Sequence, residues 1–182
     1  MNQLRLRLIH KEALRRLRDA DTLTEALSLS ESTDSPYLLR LLGLELLLKF
    51  VHESVLLTPA RGHDYEKLFN RLPADLQSRL LSLAGERVGP SALASNHNLV
   101  LQEWGQNFIA LRYPWERYEG MSEDDFSRVS AEWVANGAPL DDATFRYHPE
   151  ELVGLLAALR VVASELADNT FSTGPNKESP QH

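Results

Sequence analysis

At 182 residues, 43% of them hydrophobic and 25% charged, the chain is long enough for one globular domain with a sizeable core. Its net charge of -7 argues against bulk electrostatic attraction to nucleic acid or to an anionic membrane. The absence of cysteine excludes disulfides, thiolate metal ligands and a cysteine nucleophile, and it fits a reducing cytoplasm, where we expect the protein.

The first predicted element is an amphipathic helix that extends from about residue 4 to about residue 27. Its apolar residues recur at helical spacing and are Leu4, Leu8, Ala13, Leu14 and Leu17. Its outer face is basic and carries Arg5, Arg7, Lys11, Arg15, Arg16 and Arg18. This face is either a solvated helix surface or a docking surface for an acidic partner.

A leucine-dense helix is predicted at about residues 36–57, after a Ser/Thr-rich turn at residues 28–35. Asp34 or Ser35 can cap this helix, and Pro36 suits its first turn, where a missing amide proton costs nothing. The helix is apolar nearly all round, which is typical of a buried central element. Charged residues interrupt the apolar run, so the sequence predicts no membrane span.

Four ionisable residues share one face of this central helix, because they lie at positions i, i+4, i+7 and i+8: Glu45, Lys49, His52 and Glu53. One interpretation is a polar groove with perturbed pKa values, in which Glu45, Lys49 and His52 bind a ligand. The alternative is that this face is the solvent side of the helix, with Glu45 and Lys49 as an ordinary ion pair.

Five further helices are predicted from apolar spacing and from Ser, Pro and Gly at their ends. They cover about residues 63–71, 73–85 with a stop at Gly89, 91–111, 122–136 and 149–166. Residues 140–147 are predicted as a short strand or a further turn of helix. The sequence therefore predicts an all-α fold, a single compact bundle of about six to seven helices at residues 1–171, and a disordered tail at residues 172–182.

A segment after the third long helix combines two arginines with three aromatic residues: Arg112, Tyr113, Trp115, Arg117 and Tyr118. These side chains suit stacking and charge pairing with a nucleotide or an RNA base. Alternatively, the aromatic residues seal the edge of the core, and the arginines pair with neighbouring glutamates. Arg146, Tyr147 and His148, followed by proline, repeat the pattern before the last helix.

Three motifs in this order resemble the HEPN superfamily: Glu45-Leu46-Leu47-Leu48-Lys49, then Gly62-His63-Asp64-Tyr65 with Leu68-Phe69, then Arg112-Tyr113. The resemblance covers about residues 36–170. It implies a HEPN-like compact helical bundle of the kind found in prokaryotic defence, toxin–antitoxin and RNA-processing systems. It also implies a homodimer, formed by helices near the Arg112–Tyr118 segment.

Many HEPN proteins are metal-independent ribonucleases that use an arginine, four to six arbitrary residues and a histidine. Arg112 occupies a position that suits this arginine. The residues at the allowed histidine spacings are Arg117, Tyr118 and Glu119, so the histidine is missing. The resemblance therefore implies a non-catalytic module that binds RNA, a nucleotide or a protein.

Two alternatives to this interpretation stay open. The first is a metal-independent endoribonuclease with a rearranged site, in which Arg112 acts with His63 or His148 as general base. A histidine at a helix end is, however, also a common cap or packed surface residue. The second is an adaptor or regulatory subunit that works by helix packing alone.

The sequence gives no reason to expect a metal or another cofactor. It has no His-Glu-x-x-His motif and no Gly-rich phosphate loop. A metal site assembled from His52, His63 and His97 has no support from their spacing.

Overall fold

A computed structural model of the chain describes residues 2–27, 33–139 and 143–171. Seven α-helices form within these residues, and no strand does, which confirms the predicted all-α bundle of six to seven helices. The helices are α1 (Gln3–Ala26), α2 (Ser35–Leu56), α3 (Tyr65–Asn70), α4 (Ala74–Val88), α5 (Ala92–Ala110), α6 (Glu123–Ala135) and α7 (Pro149–Phe171). A short 3-10 helix (Pro114–Tyr118) lies between α5 and α6.

The leucine-dense helix α2 is the centre of the bundle, as predicted. It packs mainly against α1 and α7, and it also contacts α3 and α5. Leu44, Leu47 and Leu48 are fully buried. Gly43 allows a close approach of α1, because a Cβ built there would lie 2.5 Å from Leu17 Cδ2.

The apolar face of α1 was predicted only in part. Ala13 and Leu17 are buried, but Leu4 and Leu8 are 62% and 56% exposed, so their assignment to the inner face is wrong. Leu6 is buried instead. The buried positions Leu6, Ala13, Leu17 and Ala20 follow a spacing of seven, four and three residues, and Leu4 and Leu8 lie on a different side of the helix.

Helices α3 and α7 lie where they were predicted, and each buries one apolar side. Tyr65, Leu68 and Phe69 of α3 are buried, and α7 presents a continuous buried stripe. The members of this stripe include Leu152, Leu155, Leu156, Leu159, Val162 and Ala163. Helix α4 continues through Gly85 and ends at Gly89, whose φ of +77° suits glycine.

Helix α5 differs from the single helix predicted at residues 91–111. Its backbone leaves helical geometry at Asn96 (φ -154°, ψ 72°). The Asn96 side chain accepts a hydrogen bond from Leu99 N at 3.2 Å and so caps the second segment. Ser91 makes no capping bond, and the Glu151 carboxylate accepts the Ala92 N–H instead.

Helix α6 lies where it was predicted, and the Ser122 hydroxyl caps it by accepting a hydrogen bond from Asp125 N. None of its residues is buried. The described part of the segment before α7, residues 143–147, forms neither the strand nor the helical turn that was predicted. The predicted turn at residues 28–35 is described only from Thr33 onward, and the predicted disordered tail lies outside the described residues.

Within the described ranges, none of the helices is both long enough and apolar enough to cross a membrane.

Candidate functional site

The polar face of α2 is buried, which contradicts the interpretation of this face as the solvent side of the helix. The exposed fractions of Glu45, His52 and Glu53 are 2%, 3% and 1%. Lys49 is partly exposed. Buried ionisable groups are costly unless they are paired, so the partners of each group decide what this face does.

The carboxylate of Glu45 binds both a lysine and a histidine. Lys49 Nζ lies 2.7 Å from Glu45 Oε1, and His63 Nδ1 lies 3.0 Å from both carboxylate oxygens. The His63 side chain is 68% exposed. When Nδ1 carries the proton and donates to Glu45, Nε2 is left as the basic nitrogen. Glu45, Lys49 and His63, which the sequence singled out separately, therefore form one cluster.

The segment after α2 explains how His63 reaches this carboxylate. Gly62 has a φ of +84°, a conformation that glycine adopts without strain. Asp64 caps α3 by accepting a hydrogen bond from Lys67 N, and the Lys67 side chain holds the pKa of Asp64 below its usual value. The Tyr65 hydroxyl donates to Leu41 O at 3.1 Å, and burial strongly raises its pKa.

A groove of about 480 Å³ adjoins His63 between the start of α3 and the middle of α5. Its lining residues include His63, Tyr65, Glu66, Gln102, Gly105 and Ile109. An oriented imidazole beside a groove is an arrangement that general acid–base chemistry requires.

Glu53 and His52 are buried and have structural roles. Arg5 donates to both carboxylate oxygens of Glu53 at 2.9 and 2.8 Å, and Ala60 N donates at 3.1 Å. Burial opposes ionisation of Glu53, but these hydrogen bonds outweigh it and hold its pKa below the usual value. Burial, reinforced by the charge of Arg71, lowers the pKa of His52, whose Nδ1 has no partner among the described residues. His52 therefore lies away from any open cleft.

A second cluster forms around Glu103 of α5, which sequence reasoning missed. Its carboxylate binds Arg146 Nη1 at 3.0 Å and His148 Nε2 at 2.6 Å. His148 has a φ of +45°, which is unusual for a residue with a side chain. The two bonds attach the segment before α7 to α5.

Buried aromatic and amide groups complete this attachment. Asn107 Nδ2 donates to Arg146 O at 2.7 Å, and both Trp104 Nε1 and the Tyr37 hydroxyl donate to Tyr147 O. The Tyr147 hydroxyl donates to Asp34 Oδ1 at 2.8 Å, so Asp34 serves this contact rather than the side-chain cap predicted for α2. Burial raises the pKa values of Tyr37 and Tyr147. Asn107, a polar residue at a buried position of α5, is a signal of this network in the sequence.

The Arg112–Tyr118 segment faces outward. Trp115 is 64% exposed and Tyr113 is 50% exposed, so these two rings do not seal the core. The guanidinium of Arg112 lies 5.1 Å from the centroid of Phe108, and that of Arg117 lies 5.4 Å from the centroid of Phe145.

The residues that the sequence singled out thus fall into two charged clusters and one exposed aromatic segment. Within the part of the chain that the structure describes, no hydrogen bond, ion pair or ring contact joins Arg112 to His63 or to His148. Among the same residues, no group of three or more His, Cys, Asp or Glu side chains is placed to hold a metal ion.

Beside the exposed segment, α6 presents an apolar face that sequence reasoning did not single out. Phe126, Val129 and Val134 are 44%, 47% and 65% exposed, and Trp133 is 36% exposed. A groove of about 380 Å³ lies between this face and residues 143–147. The Tyr118 ring meets Phe126 edge-on at 4.9 Å, so the 3-10 helix and α6 form a continuous surface. We call residues 113–134 with this groove the α6 surface.

Comparison of the chain with protein-family models, with curated proteins and with solved structures finds no match. The HEPN resemblance therefore stays a prediction.

Proposed function

We propose that the protein is a HEPN-like, non-catalytic module that binds another protein through the α6 surface. The observation that carries the proposal is a helix of 13 residues without one buried residue, although its apolar side chains are aligned on one face. Single exposed apolar residues are ordinary, whereas a contiguous apolar patch with a polar rim is typical of a protein-binding site.

The chemistry of the α6 surface favours a protein over RNA or a nucleotide. Its residues 113–134 contain six acidic and two basic side chains, a net charge of -4 out of the -7 of the whole chain. Binding to a phosphate backbone depends on lysine and arginine, and an acidic surface repels it. Arg117 is the only arginine of the 3-10 helix, and its guanidinium already stacks on Phe145.

The other two surfaces that the sequence suggested are less suited to binding. The Arg146–His148 segment is attached to Glu103, and the polar face of α2 is buried and internally paired. Protein interfaces, by contrast, are enriched in exposed aromatic residues such as Trp115 and Trp133.

Selection of peptides from a displayed library tests the proposal, because it does not require the partner to be identified first. We expect peptides that form amphipathic helices to bind the wild-type protein with micromolar dissociation constants, measured by fluorescence anisotropy. The variant with Val129→Asp and Trp133→Asp should lose this binding, because a charge in an apolar contact must be desolvated.

The matched control carries Val153→Asp and Val161→Asp, which place the same two charges at valines of α7 that are each 46% exposed, against 47% for Val129. Circular dichroism checks that all variants fold. Peptides that bind the α6 variant and the wild type equally well would contradict the proposal.

One observation supports a second candidate, a metal-independent ribonuclease. The buried carboxylate of Glu45 orients the exposed His63, which is how a general base is prepared. Purified protein in metal-free buffer would then cleave RNA, and His63→Ala and Glu45→Gln would both abolish cleavage, whereas His97→Ala would not. Absence of cleavage by the wild type at any enzyme concentration excludes this candidate.

A further inference from the structure

Several side chains of α1 between Leu4 and Arg18 are exposed on one side of the helix. Leu4 and Leu8 are 62% and 56% exposed and lie one turn apart on the same side of the helix. Lys11 and Arg18 are exposed and form no ion pair with any residue of the described chain. Residues 2–18 contain six basic residues and one acidic residue, a net charge of +5.

The α6 surface is complementary to this face in polarity and charge. Glu123 and Glu132 lie on the helix that forms one wall of the groove of this surface. Glu123 has no ion-pair partner within the described ranges, and Glu132 makes only a long ion pair of 3.5 Å with Arg128. Helix α6 and the part of α1 from Leu4 to Arg18 are both about 20 Å long.

We propose that α1 of a second copy of this chain docks on the α6 surface. Leu4 and Leu8 enter the groove between α6 and residues 143–147, and Lys11 and Arg18 pair with the acidic residues beside it. The occupant comes from a second copy because, in its own chain, the exposure of Leu4 and Leu8 shows that they do not fill the groove. This inference rests on the proposed function, since it names the occupant of the same surface.

The chemistry is that of an amphipathic helix in a groove. The apolar anchors at i and i+4 supply the burial, and the flanking charges select the partner and its orientation. The charged pairs lie at the rim of the contact, so salt should weaken the association by screening.

Reciprocal charge reversal tests the proposal by sedimentation velocity of the full chain, from micromolar to near-millimolar concentration. One variant carries Lys11→Glu and Arg18→Glu, and the other carries Glu123→Lys and Glu132→Lys. We expect the wild type to self-associate, and each variant alone to associate at least about tenfold more weakly, because like charges then face each other. An equimolar mixture of the two variants should restore association, since each reversed face meets the reversed face of the other variant.

The matched controls reverse charges away from both faces, with Arg160→Glu on α7 and Glu86→Lys on α4, and should leave association unchanged. Restoration in the mixture also requires folded chains, so misfolding cannot imitate it.

The remaining outcomes separate this inference from the proposed function. If association survives both charge reversals but is lost with Val129→Asp and Trp133→Asp, another segment occupies the α6 surface. The inference is then wrong and the proposed function stands. If the wild type stays monomeric at all concentrations, the inference is wrong, and the peptide selection decides on the proposed function.

Discussion

At the scale of single residues, the polar face of α2 shows how buried charges are stabilised by pairing. Each buried carboxylate of this face has a basic partner, Lys49 for Glu45 and Arg5 for Glu53. The partners come from different distances along the chain, four residues for Lys49 and 48 for Arg5. The local pair could be predicted from spacing, whereas the distant pair depends on the packing of α1 against α2.

Replacing Arg5 by alanine should destabilise the protein by about 1–3 kcal/mol, because Glu53 is then left buried without its main hydrogen-bond donor. Urea denaturation measures this change in the free energy of unfolding. The control is Arg15→Ala, whose partner Glu12 lies on the surface, with an expected loss of at most about 0.5 kcal/mol.

The Arg5–Glu53 pair should also make the free energy of unfolding depend on pH in the acid range. The pKa of Glu53 is lower in the folded state than its usual 4.5, so its contribution is present above pH 4.5 and is lost as the pH falls through the folded pKa. The difference in stability between wild type and Arg5→Ala should therefore shrink below about pH 4.5. An unchanged difference at pH 3 would show that Arg5 acts through packing alone.

His52 should produce a second pH dependence, at higher pH. Burial lowers its pKa below 6.5 in the folded state, so the unfolded chain takes up the proton first as the pH falls. The contribution of His52 to the free energy of unfolding is therefore fully present above pH 6.5. Between pH 6.5 and the folded pKa it declines by up to about 1.4 kcal/mol for each pH unit. The variant His52→Leu should show a smaller decline in denaturation measured from pH 7 to pH 5.

His10 gives an internal comparison for this measurement. Its pKa is also lowered by burial, against the opposing charge of Asp168, and its ring stacks on Phe50 at 4.7 Å. The double variant with His10→Leu and His52→Leu should lose more of the decline than either single variant. Equal pH profiles for wild type and double variant would mean that other groups control stability in this range.

At the scale of the helices, hydrophobic spacing and end residues were enough to predict all seven. The central position of α2 followed from its apolar composition, because only a buried helix can be apolar all round. The kink at Asn96 could not be predicted, since asparagine within a helix gives no sign of whether its side chain will cap a new segment. The inward side of α1 was partly misassigned, because leucines occur on two sides of it and only packing selects one.

The candidate site could likewise be predicted from the sequence only in part. The cluster of Glu45, Lys49 and His63 was composed of residues that the sequence had already singled out. Glu103, which holds Arg146 and His148, could not be found, because an isolated glutamate on an amphipathic helix is normally solvated. The exposure of α6 was equally hidden, since its apolar spacing is that of any helix that packs on a core.

Alanine should have opposite effects at two helical glycines, one packed against α1 and one in open space. Gly43→Ala should destabilise the protein by about 1–3 kcal/mol, because the new Cβ would lie 2.8 Å from Leu17 Cγ and closer still to Cδ2. Gly85→Ala in α4 meets no atom within 4 Å and should stabilise the protein by about 0.5–1 kcal/mol through helix propensity. Thermal and urea denaturation compare the two, and stabilisation by Gly43→Ala would contradict the close packing of α1 on α2.

At the scale of the whole molecule, charge is distributed unevenly along the chain. Residues 2–18 carry +5 and residues 113–134 of the α6 surface carry -4, within a total of -7. The net charge of the whole chain predicts weak attraction to nucleic acid. The uneven distribution of this charge, however, leaves one basic face on α1. Any residual binding of RNA should therefore depend on α1 and not on the aromatic segment at residues 112–118.

We accordingly expect fluorescence anisotropy with a labelled single-stranded RNA to give a dissociation constant weaker than about 100 μM near physiological salt. Any binding at low salt should disappear when Lys11 and Arg18 are changed to glutamate, because these cations carry no intramolecular pair in the described structure. Arg112→Ala with Arg117→Ala should leave it unchanged, since both guanidinium groups lie over aromatic rings within an acidic region. The opposite result, tight binding near physiological salt that requires Arg112 and Arg117, would assign the aromatic segment to RNA. It would also contradict the proposal that the α6 surface binds protein.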